Sequence, residues 1–541
     1  MKGIVTSISG ATVSVDLRGL QLYDRVYVGH ARLSGEVVHL EKERTTVQVF
    51  EDTHGLSIGE PAVGARAPLT AVLGPGLLGG VYDGLQRPLQ GLQRHSGDFI
   101  HSAGEIQSLD LQRSWDFIPH MQAGEQVNIG DQIGLVREGH LDHPIFAAFA
   151  GEIEQIAQGQ VCLAEPLARL KDGQQLFGWQ NWPVRRPRSQ GRKCPAEKPL
   201  ITGQRCIDFL FPMVKGGVAV IPGGFGTGKT VLEQTIAKFA DSDVVIYVGC
   251  GERGNEMAGL LTEFGELRDA NDRPLLERTI IIANTSNMPV AARESSIFTA
   301  VTMAEYYRDM GYDVLFLADS LSRWAEALRE ISSALEEIPG EEGYPTYLGS
   351  RLAKFIERAG VVKLASGKTG SLSMILAISP PGADFSEPVT QACLRAAGAF
   401  YMLDTGLAQS RHFPAINWTQ SYSLLGSKAA DYFRQQVDKR WTDLQRCCQD
   451  IMQQEDALRE VVEVVGMEGL QDRDRLLMSV ADRVRRDFLC QNSFSADAFS
   501  SPQQTVQLIT SILDRYDHAL KRLEDGVLLS DILQGESDAA G

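Results

Sequence analysis

The run Gly223-Gly224-Phe225-Gly226-Thr227-Gly228-Lys229-Thr230 has residue types and spacing suited to gripping a phosphate chain. Glycines let backbone N–H groups close around phosphate oxygens, and a helix starting where they end points its positive pole at the same anion. Lys229 then reaches the β- and γ-phosphates, and the Thr230 hydroxyl offers a ligand to Mg²⁺. The candidate nucleotide-binding residues are Gly223, Gly224, Phe225, Gly226, Thr227, Gly228, Lys229, Thr230 and Val231, the last opening the helical pattern. Two more groups carry chemistry. Asp319 closes the apolar run Val314-Leu315-Phe316-Leu317-Ala318, which suits a carboxylate in the Mg²⁺ shell, with a helix N-cap the lesser alternative once the P-loop is granted. Glu252-Arg253, inside Gly249-Cys250-Gly251-Glu252-Arg253-Gly254-Asn255-Glu256, offers a carboxylate to polarise an attacking water and a cation to offset charge growing on a γ-phosphate. Alone, such a pair reads as an exposed salt-bridged turn, and its place after an apolar strand favours the chemical reading.

These residues need a parallel sheet to position them, since ligands of open α/β sheets sit beyond the carboxyl ends of the strands. From Leu200 to about Leu424, buried strand-like runs (Val218 to Ile221, Val244 to Val248, Thr279 to Ala283, Val314 to Ala318, Met374 to Ser379) alternate with helical stretches. The first delivers the glycine-rich loop, and Val231-Leu232-Glu233-Gln234-Thr235-Ile236-Ala237-Lys238 follows it with helical period. The expected fold is multidomain α/β with a P-loop core. Residues 1–70, with alternating runs such as Ala11 to Leu17, Asp24 to Val28 and Thr45 to Phe50, read as a small β-barrel. Residues 71–109 and 182–424 form the nucleotide-binding domain, 110–181 an inserted β-rich domain, and 425–541 a helical domain with a frayed end from Gly535. Trp182-Pro183-Val184-Arg185-Arg186-Pro187-Arg188 reads as a solvated linker rather than an anion site. Ser379-Pro380-Pro381-Gly382-Ala383-Asp384-Phe385 is a rigid turn at another strand end, and His412, with no companion at metal-ligand spacing, reads as packed or capping.

Bulk properties narrow the function classes. At 541 residues the chain calls for about three or four domains. Hydrophobic residues at 43% and charged residues at 22% describe an ordinary globular composition. No apolar run approaches the roughly 18 to 20 residues a membrane-spanning helix needs, and the N-terminus lacks a signal-peptide pattern, so a cytoplasmic chain is expected. A net charge of -17 argues against nucleic acid as the main partner. The eight cysteines include no C-x-x-C pair and read as reduced thiols.

Taken in order, several segments resemble the catalytic A (alpha) subunit of V-type and archaeal-type rotary ATPases over nearly the whole length. They are Gly74 to Leu89, Trp182 to Arg185, Leu200-Ile201-Thr202-Gly203-Gln204-Arg205, the P-loop, Gly251 to Met257, Asp319 to Glu330, Tyr347 to Ala353, Asp384 to Thr390 and Arg411 to Trp418. The resemblance implies a RecA-like core and an insert that separates this subunit from its F-type counterpart and from the noncatalytic B subunit. It implies Mg²⁺ with ATP or ADP. It also implies a ring of three A and three B subunits, central-stalk subunits, a peripheral stalk and a membrane rotor moving H⁺ or Na⁺, with the chain at the cytoplasmic face, peripheral to the membrane. By position, Lys229 and Thr230 match phosphate and Mg²⁺ contacts, Glu252 the water-activating carboxylate and Arg253 a γ-phosphate contact. Glu256 and Asp319 match the Mg²⁺-water shell, and Arg323 a nearby switch arginine. A further arginine is expected from the neighbouring B subunit.

Three residues depart from the family pattern. Gly224 stands where Pro or Ala is common, Thr227 where eukaryotic members carry a P-loop Cys, and Ala383 where a second Gly usually follows the Pro-Pro-Gly turn. Two other readings compete: a noncatalytic nucleotide-binding ring component, and a homohexameric export-type ATPase on the same core. Intact Lys229 and Glu252 oppose the first, and the inserted segment opposes the second.

Overall fold

The computed structural model describes residues 1–42, 44–97, 106–188, 191–269 and 272–538, which form two compact units. The first contains Met1–Pro195, Ser242–Ile378 and Ser386–Ala396; the second contains Ala196–Asp241, Ser379–Phe385 and the chain from Ala397 onward.

In the first unit, alternating valines build a closed six-stranded barrel. Its strands run in the order Lys2–Ser9, Thr12–Val15, Thr45–Val49, Leu33–Leu40, Asp24–Val28 and Pro61–Pro68. Val13 and Val15, Val26 and Val28, and Val47 and Val49 face one interior, as a period of two requires. Residues 114–176 make two four-stranded sheets around Trp115, Phe117, Ile133, Val136, Ile145 and Ile153. The remainder is a parallel sheet ordered Thr369–Ile378, Asp313–Asp319, Val244–Glu252, Thr279–Thr285 and Val81–Tyr82. Its central strands read as unbroken apolar runs because both faces are covered. Helix Val290–Arg308 is buried along almost its whole length, and Phe298, Ala300, Val301 and Ala304 show why: it is apolar on more than one face.

The arginines of the 182–188 segment correct the expectation of a solvated linker. Arg185 pairs with Glu36 of the barrel at 2.7 Å and with Glu294 of helix Val290–Arg308 at 2.6 Å, and Arg188 pairs with Asp309 at 3.1 Å. Glu36 and Glu294 are almost fully buried, and a buried carboxylate without a cation is costly. The two arginines are drawn inward by acids distant in sequence, a demand that no local pattern announces. The inserted sheets are tied down similarly: His143 bonds Glu138 through Nδ1 at 2.9 Å and the Tyr306 hydroxyl through Nε2 at 2.8 Å.

In the second unit, strand Val218–Pro222 pairs in parallel with Ala399–Phe400, which pairs antiparallel with Tyr422–Ser423. Helices Gly426–Gln436, Trp441–Val465, Asp472–Arg483 and Pro502–Glu524 follow. Phe433 stacks on Trp441 with centroids 4.1 Å apart, and Phe209 meets the edges of both Trp441 and Phe488. Ser501 and Gln504 form a reciprocal capping box at the start of the last of these helices. Helix Leu529–Asp538 continues through four residues expected to fray, while 539–541 lie outside the described residues. Among the described residues, no helix is long and apolar enough to cross a membrane.

Candidate active site

The second unit holds the phosphate-binding loop. Strand Val218–Pro222 is wholly buried and stops at Pro222; the chain then turns through Gly226 (φ 77°) and Gly228 (φ 86°) into helix Lys229–Phe239. Positive φ at both points favours glycine. Gly223 is required for a different reason. A Cβ there would stand 2.7 Å from Thr227 Oγ1 and 2.8 Å from Leu403 Cβ. Gly224 has room, since its Cβ would meet only Thr405 Oγ1 at 3.6 Å, so an alanine fits the same space. Lys229 Nζ donates to the carbonyls of Gly223 at 2.6 Å and Gly224 at 2.9 Å, and the Thr227 hydroxyl donates to the latter at 2.9 Å. Phe225, Thr230 and Val231 are exposed at the mouth. The ring of Phe413 lies against the loop: a Cβ on Gly228 would stand 3.4 Å from Phe413 Cε1. No sequence motif links positions 228 and 413, so this contact is made only by the fold.

The first unit gathers the carboxylates. Strand Val244–Glu252 lies between two parallel neighbours, with Gly249 opposite Asp319 and a register shift between Cys250 and Glu252. Gly251 makes that bulge. Its φ is 73°, and a Cβ on it would lie 2.7 Å from Arg323 Cβ, so only glycine fits. After the bulge Glu252 pairs with Thr285, and its carboxyl hydrogen-bonds Glu256 in the first turn of helix Gly254–Glu266. Asp319 ends its strand almost fully buried, with the Tyr247 hydroxyl donating to Oδ2 at 3.5 Å. Burial first, then the charge of Asp319 and a hydrogen bond with Glu256, push the Glu252 carboxyl up to about 8, against a smaller opposing pull from Arg323. Glu252, Glu256, Asp319 and Arg323 thus form one electrostatic group. Arg253 stays exposed, 3.7 Å from Glu256. A carboxyl with such proton affinity is suited to general-base work near neutral pH.

The Glu256 and Asp319 carboxylates of the first unit and the Thr230 hydroxyl of the second are each hard oxygens of the kind Mg²⁺ takes, and among the described residues no cluster of three or more His, Cys, Asp or Glu makes a closed cage. Mg²⁺ commonly takes one or two carboxylates and completes its shell with water and substrate phosphates.

The 379–385 turn carries backbone strain. Ala383 sits at φ 57° beside Gly382 at φ 63°. Left-handed backbone costs an alanine about 1 to 2 kcal/mol that glycine does not bear. Ala383→Gly is therefore expected to raise stability by about 1 kcal/mol after its greater unfolded-state entropy is set against that relief, read as a higher urea midpoint; a lowered midpoint refutes the strain. His412 is packed edge-on to Trp418 with centroids 5.7 Å apart, and burial holds its ring below the usual histidine range. All eight cysteines are free.

Four family matches cover the chain: the beta-barrel domain of the ATP synthase alpha/beta family over residues 5–64, the alpha/beta subunit barrel-sandwich domain over 106–185, the nucleotide-binding domain over 203–423, and the C-terminal domain of V and A type ATP synthase over 430–533. The second A-type ATP synthase A subunit of Methanospirillum hungatei is 49% identical across 96% of this chain and 90% of its own length. The V-type ATP synthase alpha chain of Thermoanaerobacter pseudethanolicus is 48% identical across 98% and 92%, and the A-type ATP synthase A subunit of Methanosarcina barkeri 47% across 99% and 94%. Among solved structures, the assembled ATPase EscN of the enteropathogenic E. coli type III secretion system shares the fold, with a TM-score of 0.68 at 20% identity over 94% of this chain and all of that one. Motif order, the loop and carboxylate geometry, and near full-length identity agree: the chain belongs to the family formed by the A subunits of A-type ATP synthases and the alpha chains of V-type ATP synthases.

Proposed function

We infer that this chain is the catalytic subunit of a rotary ATPase, hydrolysing or forming ATP in step with H⁺ or Na⁺ movement through a membrane rotor. The observation that carries this reading is Glu252, a carboxylate raised toward neutral pH at the end of a parallel-sheet strand, in a chain that also keeps an intact P-loop. A noncatalytic ring component has no use for it.

In hydrolysis, the loop N–H groups of Gly223 to Thr230 hold the phosphates, and Lys229 Nζ exchanges the Gly223 and Gly224 carbonyls for β- and γ-phosphate oxygens. Glu252 takes the proton of the attacking water as that water bonds to the γ-phosphorus. Arg253 offsets the charge that grows on the γ-phosphate. Phe413 offers its face to the adenine. The Thr230 hydroxyl would hold Mg²⁺ and the Glu256 and Asp319 carboxylates would bind its waters, and the ion would supply charge neutralisation at the phosphates. In synthesis the same groups act in reverse.

The partners proposed are a noncatalytic B-type subunit that alternates with this chain in an A3B3 ring and supplies an arginine, a central stalk, a peripheral stalk and, indirectly, the membrane rotor. Nucleic acid is not among them, given the net charge of -17. The chain works at the cytoplasmic face, attached to the membrane through its complex. Mg²⁺-ATP hydrolysis by the purified chain, alone and mixed with the B-type partner, tests this. Turnover is expected only in the mixture; full turnover alone would instead identify a self-sufficient homo-oligomer of the export type.

A further inference from the structure

In the second unit a glutamine distant from the P-loop sequence is bonded at every polar atom of its side chain. Gln491 is 1% exposed. Its Oε1 accepts the Arg205 backbone N–H at 2.5 Å, and its Nε2 donates to the carbonyls of Gly203 at 3.1 Å and Asp497 at 3.0 Å. Its own backbone N–H donates to the Phe413 carbonyl at 2.7 Å. The Arg205 guanidinium closes the same knot from the other side, donating to the Phe488 carbonyl at 2.5 Å, the Cys490 carbonyl at 2.8 Å and the Asp497 carboxylate at 2.5 Å. The side chain of Gln491 thus ties the 203–205 turn to the 488–497 loop, and its backbone N–H carries that fixed position to the aromatic against Gly228.

We propose that Gln491 is a positioning residue for nucleotide binding: it fixes the backbone that carries Phe413, and so sets the platform for the adenine without touching the phosphates. This rests on the reading of Phe413 as the base contact. The physical reason lies in the number of bonds that meet in one amide. A buried amide whose donors and acceptor are all used resists displacement, because any shift leaves polar groups unpaired. Glutamine is needed because both an acceptor and two donors are used; glutamate at this site would turn acceptors toward the Gly203 and Asp497 carbonyls, and methionine would keep the volume while losing all three side-chain bonds.

The test is ATP hydrolysis by the assembled complex carrying Gln491→Glu or Gln491→Met. The KM for ATP is expected to rise roughly tenfold with kcat within about twofold, the signature of lost uniform binding. Affinity for inorganic tripolyphosphate should stay at the parent value. An unchanged KM, a kcat that falls as far as kcat/KM, or an equal loss of tripolyphosphate affinity would each overturn the proposal. Hydrogen exchange on the unmodified chain gives an independent readout. ATP should slow exchange at 203–205, 412–414 and 490–497 beyond the effect of tripolyphosphate, and equal protection by the two ligands would overturn it as well. Failure of the general reading looks different: the unmodified complex would then bind neither ligand at the P-loop.

Discussion

Lys229→Ala leaves a folded chain that no longer turns over ATP: kcat in the assembled complex is expected to fall by roughly 10³-fold or more, the scale set by removing a cation that stabilises a transferring phosphoryl group. The fold survives for local reasons. Lys229 is the first residue of helix Lys229–Phe239, and alanine is a better helix former than lysine. The loop shape depends on Gly223, on the positive φ values of Gly226 and Gly228 and on the Thr227 hydroxyl, all retained in the variant. What disappears is the ammonium resting on the Gly223 and Gly224 carbonyls, ready to move onto phosphate. Thermal unfolding without nucleotide should change by no more than about 3 °C, since a half-buried lysine makes a modest net contribution. Retained turnover would remove Lys229 from the mechanism. Loss of the folded signal would mean that the lysine supports the loop rather than the reaction.

How much of this was legible from residues alone depends on the range of the interactions. The P-loop lies in one contiguous stretch, so its glycines, Lys229 and Thr230 announced themselves, and the apolar runs ending in Asp319 and near Glu252 located the strands that the sheet requires. The barrel was visible for the same reason, because alternation within each strand is a local property. Features made by distant pairs stayed hidden. Arg185 and Arg188 sit in a Pro- and Arg-rich segment whose local composition reads as solvent-exposed, and only the buried Glu36, Glu294 and Asp309 draw them in. The Gly251 bulge is set by the approach of Arg323, and the platform at Phe413 by Gln491. Ala383 lies between these cases: its departure from the family pattern was readable, whereas its positive φ was not.

Glu252→Gln should separate binding from chemistry. The amide keeps the size of the side chain and still polarises a water weakly, but it cannot accept the proton, so kcat is expected to fall by roughly 10² to 10⁴-fold while ATP still binds. The pH dependence gives the sharper check. In the free enzyme the Glu252 carboxyl is raised from 4.5 to about 8, so kcat/KM of the parent should climb with pH through a limb near 8, as the base loses its proton. The variant should show a low, flat profile over the same range. Stability moves the opposite way. Between 4.5 and 8 the folded chain holds a proton on Glu252 that the unfolded chain releases, so the contribution of this group to stability is present at low pH and lost as pH rises through that window. Glutamine, neutral throughout, removes the loss: the unfolding midpoints of parent and variant should agree near pH 5, and the variant should be the more stable near pH 9. A parent whose kcat/KM shows no limb that the variant lacks would mean that Glu252 is not the base. A stability difference independent of pH would mean that its proton affinity is not raised by the burial and neighbouring carboxylates described above. The two readouts fail independently, which separates the role of Glu252 in the reaction from the electrostatics of the group around it.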